Sequence, residues 1–345
     1  MQIPFSKTFI DNKEIEAVNR VMASGWLTTG KVCEEFEAAF ADYVGAKYCV
    51  FLSSCTAALG LSLAWYRHLG IPKGTRVFVP SLTFAATVNE VVHAGFKPVF
   101  GDVKDDFCLD ESGYGDELIS IPVHLTGNEA NTGYLSNVIE DSAHRIEKNQ
   151  CKGSENLVCF SFYPTKNMTT GEGGAICTND ENAYLWLKKA RHHGISKDGW
   201  KRYELGGSWK YDIEFVGWKA NNTDIAAAIG LEQLKKLPWM TDRRNEIVKQ
   251  YNRLLGYDRT GNHLYPVLVS NRDVFIETMK DAGIQCSVHF LPVHKMNAYK
   301  SEQRLGKTEF FGEHLVSLPL YPSLSDEEVG YIAENALKTD VLIYE

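Results

Sequence analysis

The sequence predicts an α/β fold, with a large domain on a mostly parallel central sheet and a smaller α+β domain at the C-terminus. Three observations predict it. Short apolar runs alternate with helical patterns over the first two thirds of the chain. Polar motifs fall directly after several of these runs, where ligands gather in parallel sheets. Beyond Asp224 the texture changes to long helical stretches and a few late strands. The 345 residues suffice for one large core and a second, smaller one.

The elements follow in order. Tyr48-Cys49-Val50-Phe51-Leu52 reads as a strand, with a helix from about Cys55 to His68. Arg76-Val77-Phe78-Val79 is the next strand, with a helix from about Phe84 to Ala94. Pro98-Val99-Phe100, Ile119-Ser120-Ile121-Pro122-Val123 and Asn137-Val138-Ile139 are shorter strands. Leu157-Val158-Cys159-Phe160 and Ala175-Ile176-Cys177 flank a glycine-rich loop. A helix then runs from about Thr223 to Lys236, and a second, after Pro238, covers roughly Thr241 to Leu255. The stretch from His263 to Val269, a helix from about Arg272 to Ala282 and the run Gln285 to Phe290 predict a β-α-β unit. A closing helix from Asp326 to Leu337 takes Ser325 as its N-cap. The domain boundary falls between residues 237 and 238, and the N-terminal segment is a candidate to pack on the smaller domain.

Composition narrows the function. A hydrophobic content of 44% and a charged content of 23% are those of an ordinary globular protein. A net charge of −8 without any basic block argues against a nucleic-acid partner. No apolar stretch is long enough to span a bilayer, and the start of the chain lacks a secretory pattern, so a cytoplasmic protein is expected. Of the eight cysteines, Cys49, Cys55, Cys159 and Cys177 sit in or beside apolar runs, and none of the eight forms a C-x-x-C pair; reduced thiols are expected. His192-His193 has no partners at metal-ligand spacing, so no metal site is expected.

The candidate chemistry centres on Lys166, in Ser161-Phe162-Tyr163-Pro164-Thr165-Lys166-Asn167. A lysine on a tight loop between two buried strands is held near the core, and burial disfavours its ammonium form. Taken alone, the segment fits a lysine snorkelling to solvent equally well. Glu140-Asp141-Ser142-Ala143-His144 ends a strand in a carboxylate that points toward the same crevice, where it suits a protonated ring nitrogen; a helix cap is the other reading. Ser54-Cys55-Thr56-Ala57 passes from strand to helix through small hydroxyl residues, a phosphate cradle or an ordinary cap. Ser161 is placed to donate to the same phosphate, and Phe84 to stack on a planar ring or to sit in the core.

With these motifs in place the chain resembles the DegT/StrS group of pyridoxal-phosphate-dependent sugar aminotransferases, fold-type I. The resemblance extends through Gly25-Trp26-Leu27-Thr28-Thr29-Gly30, Arg191-His192-His193-Gly194, Thr223-Asp224-Ile225, Ser287 to His294 and Ser317 to Pro322. It implies that Lys166 is the Schiff-base lysine, that Asp141 pairs with the pyridinium and that His144 lies at the ring's hydroxyl edge. Phe84 would stack on the ring, while Cys55, Thr56 and Ser161 hold the phosphate. Lys219, with Asn221 behind it, would reach the neighbouring subunit's site, which implies a homodimer. Thr28, Thr29 and His289 would face the substrate.

The implied reaction moves the amino group of L-glutamate through the PLP and PMP forms of the cofactor to a nucleotide-linked keto-sugar. The Gly217-Trp218-Lys219 pattern leans toward a 4-keto-6-deoxy or related 4-keto sugar. A 3-keto sugar, or a non-catalytic sensor on the same fold, is the alternative. A related dehydratase branch carries histidine at the lysine position, so Lys166 argues against it; an amino-acid enzyme such as an aldolase is a further rival. The stretches 125–137 and 144–157 are shorter than the family norm, which suggests trimmed surface elements.

Overall fold

The computed structural model describes residues 2–133, 135–196 and 211–344. Its strands are β1 (Tyr48–Leu52), β2 (Arg76–Pro80), β3 (Lys97–Gly101), β4 (Ile119–Ser120), β5 (Ile139–Ser142), β6 (Leu157–Ser161) and β7 (Gly174–Thr178), then β8 (Tyr265–Val269), β9 (Leu315–Leu318) and β10 (Leu342–Ile343). One sheet has the order β1-β7-β6-β5 and another β3-β2-β4. Bridges Ser120↔Val138 and Val123↔Asp141 join β4 to β5, so the two continue into one another. Among these strands only β7 runs against its neighbours. The sheet is therefore mostly parallel, as the alternating pattern predicts.

The strands read as continuous apolar runs because both faces are covered. Val50, Leu52, Leu157, Cys159 and Ile176 point into one core, which includes Ala58, Leu59 and Leu63 of α3 (Cys55–His68). Their neighbours Cys49, Phe51, Val158, Phe160, Ala175 and Cys177 enter a second core, with Phe36 and Phe40 of α2 (Lys31–Val44). Every cysteine is free, and seven of them are buried, which accords with thiols used as small apolar groups.

Helices α1 (Asn12–Ser24) and α2 precede the first strand and were not anticipated. The Asp11/Glu14 capping box and the left-handed Gly25 bound α1 and were legible signals. Helix α4 (Ala85–His93) follows β2, and α5 (Glu181–Ala190) follows β7. Between β5 and β6 the described chain has no α-helix. Turns dock there on the end of α2, through the amides of Asn149 and Cys151 to the carbonyls of Tyr43 and Val44.

The expected break at Pro238 is absent. A single helix, α6 (Asp224–Leu255), spans 32 residues with Pro238 inside it. Proline removes one hydrogen bond and strains the preceding turn, but burial holds both halves in line. Leu234, Leu237 and Met240 belong to the α2-side core, whereas Ile247, Val248, Tyr251 and Leu255 belong to a third core with β8 and β9. The predicted strand at Gln285–Phe290 is also absent; the segment contributes one bridge, Ser287↔Ser317. The C-terminal sheet has the order β10-β8-β9, with α7 (Arg272–Asp281), α8 (Gly306–His314) and α9 (Asp326–Lys338) around it. Ser325 caps α9 in a full capping box. Ile3 pairs with Ile284 and lies in that C-terminal core.

Candidate active site

The carboxyl ends of β1, β5 and β6 open on a cavity of about 340 Å³, within the size range of small-molecule sites. Its lining includes Cys55, Thr56, Phe84, Asp141, His144, Ser161, Lys166 and His289. The fold brings these eight sequence-predicted residues together.

Lys166 owes its place to the loop between β6 and β7. Phe162 and Met168 anchor that loop in the α2-side core. The Lys166 amide donates to the Tyr163 carbonyl (2.9 Å), and the Thr170 amide to the Phe162 carbonyl (3.0 Å). Burial pushes the Lys166 ammonium below its ordinary value, against the opposing pull of Asp141.

Asp141 lies next to the last residue of β5 and is buried. Thr87 Oγ1 donates to its Oδ2 (2.8 Å), and the Ala143 amide donates to Oδ1 (3.1 Å). Burial still raises its carboxyl above the usual range, with the Thr87 and Ala143 bonds and Lys166 opposing. A cation beside it would reverse that cost.

The start of α3 forms one end of the cavity. Ser54 caps the helix by accepting from the Ala57 amide (3.0 Å), so the Cys55 and Thr56 amides have no partner inside the helix. Gly174 packs directly beneath: a Cβ there would collide with the Ser54 carbonyl group and the Cys55 nitrogen. Only glycine lets β7 pass so close to the helix start.

On the opposite wall, the rings of His144 and His263 lie 4.3 Å apart. Both are buried with Nδ1 atoms that lack a hydrogen-bond partner, and burial drives both imidazoles well below 6.5. His289 is pushed down to about 4 by burial, with Lys166 adding to it, and shares a 3.0 Å hydrogen bond with Ser317. Phe84 caps α4 at the rim, 61% exposed, its ring centroid 5.8 Å from that of Phe290 and tilted 49° to it.

The remaining four predicted residues do not line the cavity. Lys219 Nζ donates to Asn221 Oδ1 (2.6 Å), and Asn221 Nδ2 donates to Thr29 Oγ1 (2.5 Å). Thr29 in turn donates to the Asn222 carbonyl (2.5 Å). Thr28 adjoins them, its carbonyl accepting from the Asp224 amide (3.2 Å). Asp224 also receives the Gly30 and Cys33 amides, supplying the side-chain cap that α2 lacks. Sequence reasoning missed Thr87 and His263. Thr87 falls four residues after Thr83 on α4, and His263 directly precedes the β8 run; neither position carries a signal until the strands align.

The donor set fits pyridoxal phosphate. Asp141 would suit its ring nitrogen, the Cys55 and Thr56 amides its phosphate, the exposed Phe84 ring its planar face and Lys166 its aldehyde. Fold and site thus define a pyridoxal-phosphate-dependent enzyme of the α/β class. The chain belongs to the DegT/DnrJ/EryC1/StrS aminotransferase family, whose sequence model matches residues 8–337. It is 35% identical to the spore coat polysaccharide biosynthesis protein SpsC of Bacillus subtilis, over 96% of this chain and 95% of that one. A Streptococcus pneumoniae protein described as a sugar aminotransferase, in its PMP form, superposes with a TM-score of 0.88 at 30% identity, over 98% and 99% of the two chains. PseC of Helicobacter pylori, an aminotransferase of pseudoaminic acid biosynthesis, matches with a TM-score of 0.88 at 26% identity over the same shares. The protein is accordingly a pyridoxal-phosphate-dependent aminotransferase. Among the described residues no helix is long and apolar enough to cross a membrane.

Proposed function

We propose that this aminotransferase takes the amino group of L-glutamate and delivers it to a nucleotide-linked keto-sugar, at C4 of a 4-keto sugar. The observation that carries the reading is the convergence of Lys166, Asp141 and the α3 N-terminus on one cavity. The likeness to SpsC, PseC and the pneumococcal protein supports a sugar as acceptor. The Gly217-Trp218-Lys219 pattern supports C4 over C3.

The bound cofactor supplies the electron sink for a carbanion at the amino carbon. The protein's own groups do the rest. Asp141 keeps a proton on the ring nitrogen, with Thr87 and the Ala143 amide fixing its two oxygens. Cys55, Thr56 and Ser161 would hold the phosphate, and Phe84 would cover one ring face. Lys166, whose ammonium is weakened by burial, would hold and move a proton at its Nζ beside the amino carbon. His144 would lie at the ring's hydroxyl edge, and His289 would face the sugar.

Lys219, Asn221, Thr28 and Thr29 act on a partner subunit's cavity, in a homodimer with shared sites. In this reading residues 1–237 carry the cofactor and residues 238–345 form the other wall.

Purified protein loaded with pyridoxal phosphate and given L-glutamate alone is expected to release 2-oxoglutarate and turn to the pyridoxamine spectrum. A panel of nucleotide-linked 3-keto and 4-keto sugars then identifies the acceptor by glutamate-dependent amination. Protein that releases no 2-oxoglutarate overturns L-glutamate as the amino donor. Amination confined to 3-keto sugars overturns the C4 assignment.

A further inference from the structure

We propose that Arg244 is a positioning residue for Lys166: from α6 its guanidinium clamps the backbone of the lysine loop and so aims the Lys166 amine into the cavity. Arg244 is buried, 5% exposed. One terminal nitrogen donates to the carbonyls of Asn167 (3.2 Å) and Met240 (3.5 Å), and the other to the carbonyl of Lys166 (3.4 Å). The Lys166 and Asn167 carbonyls receive no other hydrogen bond among the described residues.

A buried cation is costly unless something repays its desolvation. No carboxylate pairs with Arg244 among the described residues, and burial alone lowers its pKa to about 10. Its neighbours along α6, Met240, Ile247 and Val248, fill the interior with apolar groups, so space-filling does not call for a guanidinium. What the site does contain is two adjacent carbonyls on the loop that bears Lys166. A planar fork with several donors spans such a pair, and a single ammonium does not.

Anion binding is the competing role for a buried arginine. The space behind the loop, lined by Arg244, Asn167 and Lys166, amounts to about 10 Å³. That is room for roughly one water and not for a carboxylate. Arg244 is also absent from the lining of the large cavity. Its influence therefore passes through the backbone of Lys166. Because α6 continues into the core of β8 and β9 through Val248 and Tyr251, the clamp also ties the lysine loop to the C-terminal region.

The inference rests on Lys166 being the lysine that binds the cofactor. The test uses full-length protein loaded with pyridoxal phosphate, reduced with borohydride and digested, with the label on Lys166 quantified per bound cofactor by mass spectrometry. Wild type is expected to carry the label on Lys166. Arg244→Met, similar in bulk but without donors, is expected to retain bound cofactor while the labelled fraction falls about tenfold, the lower end of the scale for one lost charge-assisted hydrogen bond. Arg244→Lys, with one ammonium, is expected to lie between the two. A flat series with normal wild-type labelling overturns the inference alone. A wild type that takes no label on Lys166 overturns the cofactor reading and this inference with it. Should Arg244→Met fail to fold, Arg244→Lys decides: reduced labelling supports the clamp, and wild-type labelling overturns it.

Discussion

Lys166 and Lys219 carry the same ammonium group in opposite surroundings. Lys166 sits on an anchored loop inside the cavity, and burial lowers its pKa. Lys219 is exposed and committed to Asn221, which is bound to Thr29. The first arrangement suits a nucleophile and proton carrier, since burial weakens the charge. The second ties the ammonium to Asn221 and fixes its position, which suits holding an anion. Lys166 lines the cavity, while Lys219, Asn221 and Thr29 lie outside its lining.

The contrast can be broken most sharply at Lys166. Lys166→Ala is expected to lower glutamate-dependent release of 2-oxoglutarate by about 10⁴-fold or more, the scale of losing proton transfer and covalent attachment together. A loss of only a few-fold would place the chemistry elsewhere. Asp141→Asn is expected to cost about 10²–10³ in turnover, the range for a single preorganised electrostatic contact, measured at saturating cofactor to separate it from binding.

Lys219 is tested by mixing. If its cluster serves a partner's cavity, Lys166→Ala and Lys219→Ala proteins, each impaired alone, regain activity when their subunits are exchanged. No recovery after confirmed exchange refutes the shared site. Thr87→Val removes one hydrogen bond to Asp141. It is expected to weaken cofactor binding about fivefold, near 1 kcal/mol, read by fluorescence titration. An unchanged affinity would show that Asp141 is held without it.

The smallest effect concerns pH. Burial holds His144, His263 and His289 below 6.5, His289 at about 4. Each stays neutral when folded and takes up a proton on unfolding once the pH falls below 6.5. The unfolded chain then binds more protons, so stability declines from pH 6.5 toward 4. Urea midpoints should fall across that window, and His263→Asn should flatten the decline. A slope unchanged by that substitution would remove His263 from the account.

Much of the fold is legible because its strands are buried on both faces, so Val50, Phe51, Val158 and Cys159 read as uninterrupted apolar runs. The cavity residues are legible because parallel strands deliver their ends to one edge. Pro238 misled, since a local breaker lost to packing on both sides of α6. Gln285–Phe290 misled because its pattern suits a strand but its neighbour in space is a single bridge to Ser317. Helices α1 and α2 were passed over even though the Asp11/Glu14 box and Gly25 marked the bounds of α1.

By itself the sequence determined the alternation of strands and helices, the lysine loop and the class of chemistry, since these depend on local pattern and residue type. Only the tertiary structure decided that Thr87 braces Asp141, that His263 faces His144, that Thr29 meets Asn221 and that Arg244 grips the lysine loop. Each of these joins residues far apart in the chain. Their cost or gain arises only when folding removes water and places them within hydrogen-bond or ring-contact distance, which no local pattern records.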